Sequence, residues 1–309
     1  MGTQKMMQQK QRELLWSLMG DLPPRHNPMP SHCIQKQEIP GGFLETLVFH
    51  PADDEPFEAF LALPQPEKRK SNKVPAILYN HSHGSLYHLG KKELYVGAPY
   101  QNGPYLNDLL NEGWAVLAMD HRAFGSRSRE TESAVFKKYL WFGKVMWGMM
   151  VYDSVRMLDY LTEERPEIDP GRIATLGMSM GSTMAWFTAA LDERIKVCAD
   201  ICCMTDYQTL IETEHLDGHG IYYYVPSLLK HFDTASINAL IAPRAHISVN
   251  GQYDKLTPEA GLDKIDHALK KIYADFQASD KWCLKKYPVQ HQETPEMRQE
   301  ILTFLRKNL

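Results

Sequence analysis

Residues 173–191 read IATLGMSMGSTMAWFTAAL, and this stretch decides the fold. The run up to Met178 is apolar and of strand length, and a helical pattern begins at Ser182. Glycines stand two residues before and two residues after Ser179, where bulky side chains would clash in a sharp strand-to-helix turn. The stretch predicts a β-strand that turns abruptly into an α-helix and presents Ser179 at the turn.

Short apolar runs and helical patterns alternate through the rest of the chain in the same way. Such an alternation of near-continuous apolar strands with helices is typical of a parallel sheet covered on both faces. The other predicted parallel strands are Ala76–Tyr79, Ala115–Met119, Val197–Cys202, Ala245–Val249 and Trp282–Tyr287. The predicted helices include Tyr105–Asn111, Val151–Glu164, Glu259–Tyr273 and Glu296–Leu309.

Two further runs, Phe43–Phe49 and Pro56–Leu63, flank an acidic turn and are predicted to form an antiparallel hairpin. The sequence therefore predicts an α/β fold with a mostly parallel, doubly wound sheet that is antiparallel at its N-terminal edge. A length of 309 residues fits one such domain. We expect residues 1–30 to form a helical extension that docks onto its own domain, or else onto a partner, and residues 31–309 to form a single catalytic domain.

Composition excludes several classes of partner. The chain has 38 acidic and 34 basic residues without a basic stripe, which argues against nucleic acid and against a membrane surface. Its five cysteines favour a reducing compartment, and no secretory pattern or long apolar segment is evident, so we expect a cytoplasmic protein. A small neutral molecule is the expected partner, and the oligomeric state stays open.

A serine hydroxyl becomes a good nucleophile only when a base takes its proton, so a histidine is expected near Ser179. In the predicted fold an acid and then a histidine follow the serine, each after a later strand. His291 follows the last predicted strand, and Asp254 follows the strand before it. Asp254 also suits a turn or a helix cap, and Asp263 and Asp266 are the other candidates for the acid.

An oxyanion that develops at Ser179 needs two N–H donors. The N–H of Met180, at the start of the following helix, is one candidate, and the N–H of His83, after an earlier strand, is the other, with Ser85 as an alternative. His81 and His83 form an H-x-H pair, which favours a metal site in some hydrolases. The further ligands that such a site needs are missing from the nearby sequence, so we expect no metal.

Three segments resemble the dienelactone hydrolase superfamily and are most similar to the acetyl xylan esterase-like branch of the α/β hydrolases: residues 120–128 (DHRAFGSRS), 169–181 (DPGRIATLGMSMG) and 242–254 (APRAHISVNGQYD). The likeness extends from about Phe43 to the C-terminus. It implies the α/β-hydrolase fold and hydrolysis of an acyl ester by Ser179, His291 and Asp254 without a cofactor. Dienelactone hydrolase itself uses cysteine where this chain has Ser179, which favours a carboxylic ester as substrate.

Aromatic residues offer candidates for a substrate pocket. Trp141 and Trp147 precede the helix beside the nucleophile strand, although packing of these aromatic residues onto the core is at least as good an explanation. Tyr223 lies where cap segments often insert. Two other functions compete with an esterase. One is a serine peptidase similar to prolyl oligopeptidases, although 309 residues leave no room for the propeller that these usually carry. The other is a catalytically silent binding module.

Overall fold

A nine-stranded sheet forms the centre of the computed structural model, which describes residues 2–52 and 54–309. The strands are β1 (Ser31–Ile39), β2 (Gly42–Phe49), β3 (Phe57–Pro64), β4 (Val74–Asn80), β5 (Ala115–Met119), β6 (Ile168–Met178), β7 (Ile195–Ile201), β8 (Ala245–Gly251) and β9 (Trp282–Tyr287). Their spatial order is β1-β2-β3-β5-β4-β6-β7-β8-β9. Strands β1, β2 and β3 are antiparallel to their neighbours, and all pairings from β5 to β9 are parallel, as predicted.

Helices cover both faces of this sheet. They are α1 (Gly2–Ser17), α2 (Glu93–Val96), α3 (Leu106–Asn111), α4 (Glu132–Trp141), α5 (Met146–Asp159), α6 (Met180–Leu191), α7 (Tyr207–Glu212), α8 (Thr234–Asn238), α9 (Glu259–Asp275) and α10 (Pro295–Asn308). A π-helical turn, Tyr160–Glu164, continues α5. Side chains of β4 alternate between two buried clusters, with Leu78 in one and Ile77 and Tyr79 in the other. The two clusters make the sheet doubly wound, with a core on each face.

Strand β1 is a part of the sheet that the apolar pattern does not predict. Seven of its nine residues are exposed, so its sequence lacks the alternation that a half-buried strand would show. It pairs with β2 along nearly its whole length and forms the edge of the sheet. Polar and charged side chains on an edge strand discourage pairing with other chains, which explains the composition.

Helix α1 packs against its own domain. Leu15 and Met19 are fully buried in the core cluster on the α6 side of the sheet. The buried guanidinium of Arg12 donates to the carbonyl oxygens of Ala190 and Leu240, at 3.0 and 2.8 Å. The helix extends from Gly2 to Ser17, and these contacts attach it to the core of its own chain.

The carboxyl ends of the parallel strands meet at one edge of the sheet. Asn80 of β4 pairs with Gly177 of β6, Met178 pairs with Ile201 of β7, and Gly251 of β8 pairs with Tyr287 of β9. An insertion of residues 202–244, which contains α7, α8 and short 3-10 turns, lies between β7 and β8. In the described ranges no helix combines the length and apolar character needed to cross a bilayer.

Candidate active site

Ser179 occupies a strained turn between β6 and α6. Its backbone has φ 59° and ψ −119°, a conformation that residues other than glycine rarely adopt. A Cβ on Gly181 would lie 2.0 Å from the carbonyl oxygen of Asn80, and one on Gly177 would lie 2.3 Å from the carbonyl oxygen of Gly181. Only glycines allow the three backbones to approach this closely, so the two flanking glycines permit the turn that exposes Ser179.

His291 and Asp254 form a close pair at the same edge of the sheet. Nδ1 of His291 lies 2.7 Å from Oδ2 of Asp254. The aspartate side chain is almost fully buried and the imidazole is about one-quarter exposed. The other candidate acids are engaged elsewhere, because Asp263 binds Lys286 and Asp266 accepts from Trp282. With Nδ1 facing a carboxylate, Nε2 of His291 is left to exchange protons with a substrate.

Backbone contacts join the loop that carries Asp254 to the loop that carries His291. The N–H of Tyr253 donates to the carbonyl oxygen of Val289 at 3.0 Å. The N–H of Gln252 donates to the carbonyl oxygen of Tyr287 at 2.7 Å. These contacts continue the β8–β9 ladder beyond the strand ends, so they hold the acid and the histidine in register.

Glu293 anchors the histidine loop from the other side. Its N–H donates to the carbonyl oxygen of Tyr100 at 2.8 Å, and its carboxylate accepts two hydrogen bonds from the Arg298 guanidinium at 2.8 Å. The N–H of Asn102 also donates to this carboxylate at 2.9 Å. A bidentate pair between buried charges has a fixed geometry, which restrains the position of His291 two residues away.

In residues 2–52 and 54–309, no hydrogen bond joins Ser179 Oγ to His291 Nε2. Contacts between a nucleophile and its base are often long in unliganded enzymes and tighten when substrate binds. The strand register brings the loops of Ser179, Asp254 and His291 to one edge of the sheet, as the order of the residues predicts.

The two backbone N–H groups expected to bind the oxyanion have no acceptor among the described residues. In the part of the chain that the structure describes, the N–H of His83 and the N–H of Met180 donate to no protein acceptor. The N–H of Ser85, by contrast, donates to Nδ1 of His83 at 3.0 Å. This contact favours His83 over Ser85 as a donor to an oxyanion. Met180 is the first residue of α6, where the helix dipole adds to the attraction.

The imidazole of His83 is held by neighbours that the sequence analysis did not identify. Its Nε2 lies 3.0 Å from Oε2 of Glu132, and its ring stacks on Tyr222 at 5.3 Å. Glu132 also accepts from the N–H of Tyr222 and from the hydroxyl of Tyr87. Burial acts to raise the pKa of Glu132, but the hydrogen bonds from His83 and Tyr87 outweigh burial and lower it. The ionised carboxylate therefore restrains the loop that carries His83.

A buried network supports the same loop from the core. Glu93 accepts from the N–H and the hydroxyl of Ser82, and that hydroxyl lies 2.5 Å from the hydroxyl of Tyr100. The Tyr100 ring is 6.2 Å from the His291 ring. Burial is the main cause that raises the pKa of the Glu93 carboxyl. Nothing in the sequence around a lone glutamate marks this role, because its partners come from separate segments.

The H-x-H pair uses all four ring nitrogens in contacts within the protein. Nδ1 of His81 lies 2.9 Å from the carbonyl oxygen of Ser82, and its Nε2 accepts from the N–H of His121 at 3.1 Å. Burial lowers the pKa of His81 to about 4. Since His83 is engaged with Ser85 and Glu132, the pair has no nitrogen free for a metal.

One group of possible metal ligands occurs elsewhere among the described residues. Cys198, Asp200 and His246 are fully buried, with their ligand atoms within 4.8 Å of one another. Both oxygens of Asp200 already accept hydrogen bonds, from His246 at 2.7 Å and from Ser248 at 2.7 Å. A carboxylate with these donors is satisfied within the protein, so the cluster is explained as a polar contact between β7 and β8.

The three aromatic residues considered for a pocket have different environments. Trp141, at the end of α4, is 91% exposed. Trp147 is fully buried and packs on Phe187 and on Tyr222. Tyr223 is buried except at one side, where it lines an apolar groove. Of the three, Tyr223 is the one with a concave apolar surface beside it.

Known proteins share this architecture. The family model of the α/β-hydrolase fold matches residues 95–234. The provisionally assigned hydrolase YtaP of Bacillus subtilis (strain 168) is 45% identical over 302 residues, which are 97% of this chain and 99% of the relative.

Solved structures agree with the chain in fold. A provisionally assigned acetyl xylan esterase from Bacteroides fragilis superimposes with a TM-score of 0.73 at 22% identity, covering 97% of this chain and 82% of the other. A glucuronoyl esterase from Solibacter usitatus superimposes with a TM-score of 0.68 at 14% identity, covering 96% and 91%. Identities this low bear on the fold alone. The identity to YtaP along nearly the whole chain and the family model agree, and the chain belongs to the α/β-hydrolase family.

Proposed function

We propose that this α/β hydrolase cleaves small carboxylic esters through an acyl-enzyme on Ser179, with His291 as the general base and Asp254 as the orienting acid. The observation that carries the proposal is the 2.7 Å His291–Asp254 pair at the sheet edge where Ser179 occupies its strained turn. Both solved relatives described above are esterases by name, which supports the same class of reaction.

Acylation begins when Ser179 Oγ attacks the carbonyl carbon of the ester. Nε2 of His291 takes the hydroxyl proton, and the resulting imidazolium is stabilised by the buried carboxylate of Asp254. The carbonyl oxygen becomes an anion that the N–H groups of His83 and Met180 stabilise. Each such donor contributes roughly 3 kcal/mol to the stabilisation of the transition state.

Collapse of this intermediate breaks the bond to the alcohol. His291 returns its proton to the leaving oxygen, so the alcohol departs neutral and the acyl group stays on Ser179. A water molecule then repeats the sequence, with His291 as base again, and releases the carboxylic acid. The proposed reaction needs only ester and water, and all proton transfers pass through one imidazole.

Hydrolysis of 4-nitrophenyl acetate and of alanine 4-nitroanilide by the full chain tests the proposal. We expect turnover of the ester and little of the anilide, since an esterase rather than a peptidase is proposed. Ser179→Ala should lower kcat for the ester by roughly a million-fold, because removal of a triad member removes the nucleophile. Ser85→Ala, an exposed serine near the site, should keep most of the activity.

Two outcomes would contradict this function. Faster cleavage of the anilide than of the ester would indicate a peptidase. Absence of turnover on either substrate, in a folded protein, would leave the chain as a binding module with a hydrolase fold.

A further inference from the structure

An apolar groove of about 510 Å³ opens in the insertion of residues 202–244. Small-molecule sites typically enclose 300–1,000 Å³ and are lined mostly by apolar and aromatic side chains. Its lining residues are Tyr207, Ile211, Leu216, Tyr223, Tyr224, Val225, Ser227, Leu228, Leu229 and Lys230. Lys230 is the one charged residue among these ten, so the groove suits an apolar group better than a sugar.

Large apolar side chains at the groove remain accessible to water. Ile211 is 41% exposed, Tyr224 is 36% exposed and Leu229 is 44% exposed. Three such side chains around one concavity form an apolar patch, and patches of this kind mark surfaces that bind other molecules. An apolar ligand in the groove would cover them.

Tyr223 connects the groove to the candidate catalytic residues. The ring of Tyr223 lines the groove and also stacks on His219, with centroids 4.8 Å apart and planes 8° apart. Nε2 of His219 lies 3.0 Å from the carbonyl oxygen of Leu256, and the N–H of Leu256 donates to Oδ1 of Asp254 at 2.9 Å. Burial is the main cause that lowers the pKa of His219. The stacked rings of Tyr223 and His219 therefore connect the groove to the loop that carries Asp254.

The turn that forms the groove wall also contacts the loop that carries His83. Tyr222, the neighbour of Tyr223, stacks on the His83 ring at 5.3 Å. Trp147 packs against both tyrosines, at 5.6 and 6.4 Å. The short turn Ile221–Tyr223 thus lies between the groove, the loop that carries Asp254 and the loop that carries His83.

We propose that this groove binds the apolar part of the substrate, an aryl group or a medium-length alkyl chain carried by the ester. The proposal rests on the esterase function proposed above and adds the class of ester to it. Occupancy of the groove would select esters with an extended apolar half. The apolar half can belong to the acid or to the alcohol, and the two sources are separated by the choice of substrates.

Filling the groove tests the proposal. Ile211→Trp places a larger side chain at an exposed groove position of α7, and Glu212→Trp is the matched control at the next, exposed position outside the lining. The substrates are 4-nitrophenyl acetate, 4-nitrophenyl octanoate and octyl acetate. We expect Ile211→Trp to lower kcat/KM about tenfold for at least one octyl-chain substrate, since apolar contact area is lost. Turnover of 4-nitrophenyl acetate should stay within about twofold, because that ester leaves the groove empty.

The pattern of losses in kcat/KM shows whether the alkyl chain bound in the groove belongs to the acid or to the alcohol of the ester. A loss confined to 4-nitrophenyl octanoate assigns the groove to the acyl chain, and a loss confined to octyl acetate assigns it to the alcohol. Equal losses on all three substrates, or unchanged values for both long substrates, would overturn the proposal. Glu212→Trp should leave all three values unchanged.

A binding measurement separates this proposal from the esterase function itself. Equilibrium binding of 4-nitrophenyl octanoate and of octyl acetate is measured in the Ser179→Ala background, with and without Ile211→Trp, and needs no turnover. Weaker binding of at least one of the two esters with Ile211→Trp supports the groove, and equal binding of both contradicts it. If the parent chain hydrolyses no ester, the esterase proposal fails, while this measurement still reports on the groove.

Discussion

Asp254 uses its two carboxylate oxygens for different purposes. Oδ1 accepts from the N–H of Leu256 at 2.9 Å and closes a local turn, whereas Oδ2 lies 2.7 Å from His291. An aspartate that binds a backbone N–H two residues later is a common turn residue. The turn orients the carboxylate toward the histidine, so the turn contact and the contact proposed for catalysis are made by the same side chain.

Asp254→Asn separates the turn contact from the proposed catalytic contact. The amide can still accept from Leu256, so the melting temperature should change little. It can also hold the imidazole in the wrong tautomer, so kcat should fall by roughly 10⁴-fold. Asp263→Asn, which alters a carboxylate bound to Lys286 at the surface, is the control and should keep normal turnover. Near-normal turnover of Asp254→Asn together with a lower melting temperature would leave Asp254 as a turn residue only.

His81 makes stability depend on pH. Its Nε2 accepts a hydrogen bond and its environment is buried, so the folded protein keeps the ring neutral down to a pKa of about 4, against about 6.5 in an unfolded chain. Between these values the unfolded chain binds a proton that the folded chain does not. The free energy of unfolding should therefore fall as pH decreases from 6.5 toward 4, by up to about 1.4 kcal/mol per pH unit, and this contribution is constant above 6.5.

Denaturant unfolding between pH 4.5 and 7 measures this slope. His81→Gln should reduce it by the equivalent of up to one proton, and His88→Gln, an exposed histidine, should not change it. An unchanged slope in His81→Gln would show that this ring is not the group that titrates.

At the scale of elements, the β6–α6 turn depends on two glycines. Gly181→Ala would place a Cβ 2.0 Å from the backbone oxygen of Asn80, so strand β4 or helix α6 must move. We expect a lower melting temperature and at least about a 10²-fold loss of ester turnover, since displacements of about 1 Å at a reacting centre have effects of this size. Gly171→Ala, where the nearest atom to the new Cβ is an Asp169 side-chain oxygen at 3.3 Å, is the control. Full activity of Gly181→Ala would contradict the role given to this turn.

The elements that the sequence predicts are those whose burial gives them a clear pattern. Strands β5 and β9 have the predicted bounds, and the predicted hairpin is β2 and β3. Strand β1 escapes prediction because its exposed side chains carry no alternation. Strand β6 begins at Ile168 rather than Ile173, because a polar segment around Asp169 lengthens it beyond the apolar run. Local patterns of apolar residues indicate buried elements. An exposed edge strand such as β1 is instead determined by its hydrogen-bonded pairing with the neighbouring strand.

At the scale of the whole molecule, the N-terminal helix contributes to the stability of the domain. Arg12→Ala would remove the Arg12 donor from the buried carbonyl oxygens of Ala190 and Leu240, of which Leu240 keeps a hydrogen bond from Arg244 at 3.0 Å, so we expect a loss of roughly 2 kcal/mol in the free energy of unfolding. Lys10→Ala, an exposed position of the same helix, should change stability by less than about 0.5 kcal/mol. Equal stabilities of the two variants would show that the contacts of Arg12 in α1 do not stabilise the domain.

The candidate site is predictable as far as the order of the strands determines it. Ser179, Asp254 and His291 follow the parallel strands β6, β8 and β9, so the topology alone brings their loops to one edge. The residues that support them do not follow from such a rule. Glu132 reaches His83 from 49 positions away, and Glu293 meets Asn102 from 191 positions away. Contacts between distant loops depend on the finished fold, and no local pattern records them.

The most direct test of the central claim is the mapping of a covalent adduct. The full chain is treated with a fluorophosphonate, which reacts with serines activated by a neighbouring base, and the digest is analysed by mass spectrometry. The account predicts one stoichiometric adduct, on Ser179, that is lost in Ser179→Ala and strongly slowed in His291→Ala. An adduct on another serine, or undiminished labelling of Ser179→Ala, would contradict it.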